Sequence, residues 1–176
     1  FQSERDPANP FYQIFVLDFA TGDTKRISPG VGKTTCAFFR PGSDQILFAS
    51  THHDPNSKKL QKDELDFRAS GKERRYSWDY DERYDIFAYS LKDKSLKQLT
   101  TAEGYDAEGA MSPDGKHIVF ASNRAAYDHE LSKADAERLK ERHGIAYAPL
   151  VDASEMINLP STPGQGARQA SRELLS

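Results

Sequence analysis

The chain has 176 residues and a formal net charge of −3, with 24 basic against 27 acidic side chains. That balance gives no reason to expect nucleic acid, and the basic residues Lys72, Arg74 and Arg75 are answered at once by Asp79, Asp81 and Glu82. Cys36 is the only cysteine, which excludes an internal disulfide or a cysteine zinc cluster, and no apolar run approaches the ~20 residues of a membrane helix, so direct membrane insertion is not expected.

In chain order, Phe1 stands inside what reads as a strand, with no initiating Met and no leader, so the chain is expected to be a fragment or a processed product. From Tyr12 a self-similarity appears. The segment Tyr12 to Thr51 aligns without a gap on Tyr84 to Asn123, at a constant offset of 72 residues. The identical pairs include Tyr12/Tyr84, Ile14/Ile86, Phe15/Phe87, Gly32/Gly104, Pro41/Pro113, Ile46/Ile118, Phe48/Phe120 and Ser50/Ser122. Each copy predicts four short strands. In the second they are Tyr84 to Leu91, Leu96 to Thr100, Ala107 to Met111 and Lys116 to Ser122, with a turn at Ser112-Pro113-Asp114-Gly115. In the first copy that turn is Pro41-Gly42-Ser43-Asp44, which is expected to close with different geometry. The apolar runs do not alternate, so the strands should be covered on both faces, as stacked four-stranded blades would do.

The strings Tyr-Asp-Ile-Phe from Tyr84, Lys-Gln-Leu-Thr from Lys97 and Met-Ser-Pro-Asp-Gly-Lys-His-Ile-Val-Phe-Ala-Ser from Met111 resemble the repeat of the TolB-like, WD-repeat-like β-propeller family. The resemblance implies an all-β fold, a partial β-propeller of four-stranded antiparallel blades with two helix-containing inserts. It divides the chain into residues 1–33, the end of one blade (strands three and four), then 34–105, a complete blade with an insert at 52–83, and 106–176. The last is a partial blade with an insert at 124–153 and a divergent C-terminal end, where Glu155 to Leu159 makes a poor strand. A blade takes about 40 residues and six would take roughly 240, so the chain builds fewer than three blades and is expected to be marginally stable or self-associating.

Both inserts should leave from one end of the sheets. In the first, Asp54 is expected to cap a helix with Pro55 at its first position and Leu60, Glu64 and Phe67 on one side, ending at Gly71. In the second, Ser132 caps and Asp135 takes the capping-box position of a helix running to His143. Such inserts either carry function or cover a blade edge.

Candidate sites cluster at this end. Gly30-Val31-Gly32-Lys33-Thr34 is half of a phosphate loop, but Ile27 stands where the motif needs Gly and no helix follows, so an inter-blade link is expected. His52-His53-Asp54 has metal-ligand residue types. Neighbours on an extended segment point apart, which leaves His52 with Asp54 as the possible pair, against a solvated loop. Asp106 and Glu108, two apart, are expected to project together near the channel mouth, to bind calcium or the basic group of a ligand, or simply to stand hydrated there. Trp78, Asp79 and Tyr80 lie in the densest aromatic and acidic stretch, as recognition residues or as packing.

No nucleophile motif is present. The expectation is a non-catalytic binding or scaffold module that recognises a protein or small ligand on the insert-bearing face, with no cofactor unless calcium. The resemblance implies a periplasmic or secreted location. The same resemblance allows an accessory domain of a secreted peptidase or hydrolase, or a propeller lyase with a channel metal.

Overall fold

In the computed structural model, residues 1–75, 80–124 and 127 are described, together with the backbone of 155–158. The strands are β1 (Gln2–Ser3), β2 (Gln13–Leu17), β3 (Thr24–Arg26), β4 (Thr34–Phe39) and β5 (Gln45–Ser50). After α1 (Ser57–Ala69) come β6 (Asp85–Ser90), β7 (Leu96–Gln98), β8 (Asp106–Met111), β9 (His117–Ser122) and β10 (Glu155–Asn158). They form three antiparallel sheets in the orders β1-β2-β3, β4-β5-β6-β7 and β10-β9-β8. The chain is an all-β partial propeller.

The unbroken apolar runs follow from this stacking. In β5 and β6 the side chains alternate as in any strand, but each face meets a neighbouring sheet. Ile46, Phe48, Phe87 and Tyr89 pack with Ile14 and Ile27 of the first sheet. Leu47, Ala49, Ile86 and Ala88 pack with Ala107, Met111, Ile118 and Phe120 of the third. Phe48 and Phe87 stack at 6.4 Å. Fully burying one such side chain contributes about 1.5–3 kcal/mol, so the two seams hold the arc together.

The repeat extends to its hydrogen bonds. Thr34 N–H bonds to Tyr12 O, and 72 residues on Asp106 N–H bonds to Tyr84 O. Lys33 N–H bonds to Thr51 Oγ1 at 3.0 Å, and Tyr105 N–H to Asn123 Oδ1 at 2.6 Å. Gly32 and Gly104 have φ of +72° and +127° beside these two side chains, and a Cβ at Gly32 would stand 2.8 Å from Thr51 Oγ1. Only glycine fits there.

Several expectations are corrected. The first-copy turn closes with the same two bonds as the second, Arg40 N–H to Gln45 O and Ser43 N–H to Arg40 O matching Ser112 N–H to His117 O and Gly115 N–H to Ser112 O. What differs is which residue turns left-handed, Gly42 in one and Gly115 in the other. The poor strand at 155 pairs with β9 all the same, Ile157 opposite Ile118. The first helix begins two residues later than expected. Asn56 is its N-cap, while Asp54 closes an Asx turn by accepting Asn56 N–H. The second helix, expected from Ser132, lies outside the described residues.

The buried stripe of α1 is also polar rather than apolar: Ser57, Gln61 and Glu64 face inward, with Leu60 and Phe67 only half-buried beside them. Gln61 Oε1 accepts Gly32 N–H at 3.0 Å and its Nε2 donates to Ala8 O. Ser57 Oγ donates to Thr51 O, and Arg68 reaches Glu64, Glu4 and Pro10 O. The helix lies on backbone that the link between the first two sheets leaves unpaired, so its inner face must supply donors and acceptors.

Candidate functional site

The strand ends from which the inserts leave carry Thr34, Ser50 and Asp85 in one sheet and Asp106 with Ser122 in the next, fixed by register. At each, a serine at the end of strand two holds the residue two positions on. Ser50 Oγ accepts His52 N–H at 3.2 Å and lies 2.9 Å from its Nδ1. Ser122 Oγ likewise accepts Arg124 N–H at 3.2 Å and Nε–H at 3.0 Å, and donates to Asp106 at 2.6 Å. The frame is constant; the tips differ.

Asp106 is fully buried and its other oxygen meets Arg124 Nη2 at 2.5 Å. Burial pushes its carboxyl up, and Arg124 and Ser122 pull it back down. Glu108 does not stand beside it. The strand bulges between Ala107 and Ala110, and Glu108 takes a left-handed φ of +61° that turns it out to solvent. The expected side-by-side projection fails because a bulge inserts one residue and breaks the period of two. Cys36 does the same in the first copy, at φ +49°. Among the described residues no three His, Cys, Asp or Glu side chains gather as a metal site.

His52 and His53 are corrected as well. Their rings do not point apart but lie 4.2 Å from each other, centroid to centroid, and both rest on Phe87. The segment has left the strand at Ser50, so alternation no longer governs it. Burial, and then the charge of His53, push His52 down to about 4. Asp54 is held by its turn to Asn56 rather than turned toward His52.

Tyr80 stacks on Tyr105 at 5.5 Å, and its hydroxyl meets Tyr127 at 2.8 Å and Asn123 Nδ2 at 2.7 Å. Burial pushes its phenol up. Trp78 and Asp79 lie outside the described residues. The half phosphate loop is a link whose amides are occupied, Gly32 N–H by Gln61, Lys33 N–H by Thr51 and Thr34 N–H by Tyr12. Lys33 instead pairs with Asp81 at 3.3 Å.

Asp85 escaped the sequence reading. Its Oδ1 accepts the Thr100 hydroxyl at 3.0 Å and its Oδ2 accepts Gln98 Nε2 at 2.8 Å. Burial, with Asp106 adding to it, pushes its carboxyl up to about 6 against the pull of Thr100 and Gln98. In the first copy Gln13 and Ser28 occupy these positions, with Ser28 Oγ donating to Gln13 Oε1 at 2.7 Å. In both copies the hydroxyl also accepts an N–H, of Ile14 or Ile86. The signal was a polar pair recurring at the starts of apolar strands.

No family model matches the chain, and no curated protein does. One similar solved structure is TolB from Acinetobacter baumannii, 17% identical with a TM-score of 0.43, covering 89% of this chain and 25% of that one. The chain spans about a quarter of it. That likeness concerns fold alone. No helix among the described residues is long and apolar enough to cross a membrane.

Proposed function

We propose that the chain is a non-catalytic binding or scaffold part of a propeller, periplasmic or secreted, that recognises a protein or small ligand on the end of the sheets where the inserts leave. One observation carries the reading. At that end the two copies keep one backbone frame and change the side chains mounted on it: His52 against Arg124, Gln13 against Asp85, Thr34 against Asp106. A constant frame with changing tips is how a rigid scaffold presents a recognition surface. Exposed His53, Arg83 and Glu103 stand around it, available to a partner. Calcium, if bound, would have to compete with Arg124 for Asp106.

The test is selection of phage-displayed peptides on the chain, followed by binding to variants. Peptides should lose affinity to His53→Ala and to Arg83→Ala with Glu103→Ala, and keep it with Lys92→Ala or Lys116→Ala at the opposite end. Peptides sensitive only to Lys92 and Lys116 would place recognition at the other end and reject the reading.

A further inference from the structure

The seam between the second and third sheets contains a proton inventory that the first seam lacks. Thr100 Oγ1 accepts Ile86 N–H at 2.9 Å and stands 3.0 Å from Asp85, and the same hydroxyl also reaches Asp106. A hydroxyl has one proton and two lone pairs. With both carboxyls ionised, that proton can serve only one of them, and two like charges face each other in a half-buried seam. With one proton on the pair every group is satisfied. A protonated Asp85 donates to Thr100, Thr100 donates to Asp106, and Asp106 keeps Arg124 and Ser122. Arg124 places the charge on Asp106, so Asp85 is the carboxyl that holds the proton. The first copy has the neutral amide Gln13 at this position and Thr34 in place of Asp106, so its seam has nothing to titrate.

We propose that the Asp85–Thr100–Asp106 contact is a pH-sensitive joint: a proton taken from solvent onto Asp85 locks the third sheet to the second, and its release loosens that docking. The groups facing Asp85 are Thr100 and Gln98 from its outer neighbour, Asp106 with Arg124 behind it from the third sheet, and His53, stacked on His52, from the start of the insert. His53 is the only one of these that, when charged, would favour ionised Asp85 directly.

The sign follows from linkage. Asp85 titrates higher when the seam is closed than the ordinary carboxylate value of 3.8, so closure is favoured at acid pH and that contribution is lost as pH rises to about 6.

Carboxyl carbon NMR and amide hydrogen exchange on the full chain test it. Asp85 should titrate near 6. Protection at Asp106 to Met111, corrected for intrinsic exchange, should fall by about tenfold per pH unit up to that point and then level off. Protection at Ile14 to Leu17 should not follow. Asp85→Asn should abolish the fall, and His52→Gln should keep it. A fall that persists in Asp85→Asn, or no fall in the parent chain, would overturn the proposal. Should Asp85→Asn not fold, titration of Asp85 in the ordinary carboxylate range would overturn it on the parent chain alone.

Discussion

At the scale of single residues, the repeat is kept by side-chain to backbone hydrogen bonds more strictly than by identity. Ser28 and Thr100 each join an N–H to the side chain that opens strand three. Thr100→Val would leave Ile86 N–H and Asp85 short of a partner inside the seam, a loss of about 1–3 kcal/mol in chemical denaturation that Thr100→Ser should largely avoid. Lys94 stands where the first copy has Gly22, and both turn left-handed, at φ +54° and +78°. Lys94→Gly should therefore be neutral or stabilising by up to about 1 kcal/mol, whereas Gly22→Val should destabilise. His52 and Asp85 pull the pH dependence in opposite directions. The folded value of His52, about 4, lies below its ordinary 6.5, so its contribution is present above that and lost as pH falls. His52→Gln should accordingly lose less stability than the parent chain on going from neutral pH to about pH 5.

At the scale of elements, strand identity was legible in the sequence because the two copies repeat aromatic and aliphatic runs between turn residues. Side-chain direction was not legible wherever the strand departs from regularity. Alternation assigned Asp106 and Glu108 to one side, and a left-handed residue in the bulge overrules it. Alternation likewise separated His52 from His53, after the strand had already ended. The inner face of α1 was misread for a related reason: apolar periodicity finds a helix that faces a core, and this one faces backbone. Its polar anchors give the sharpest prediction for an element. Gln61→Ala removes partners from buried Gly32 N–H and from Ala8 O and should cost about 1–3 kcal/mol, while Leu65→Gln on the exposed side should change little.

At the scale of the whole molecule, the two inner strands show what stacking does. Met111 is 6% exposed because the second sheet covers it, while Phe39, its counterpart in the first copy, is 56% exposed. The cover that Met111 receives comes from the inner strands of the preceding sheet, and β1-β2-β3 has no counterpart of β4 to give Phe39 the same. Phe38 and Phe39 together leave an apolar patch of the kind that drives association. Light scattering on the chain should show concentration-dependent self-association that Phe38→Ser with Phe39→Ser reduces; a monomer with an unchanged, sharp melt in both would contradict this.

The central claim is that residues 12–51 and 84–123 are two turns of one arc, alike in strand order, register and bulge. Cross-strand NMR contacts, with φ from coupling constants, test it most directly. The account predicts contacts pairing Thr34 with Ser50 and Asp106 with Ser122, and a positive φ at both Cys36 and Glu108. A helical core in either copy, a different strand order, or a bulge present in one copy and missing from the other would contradict it.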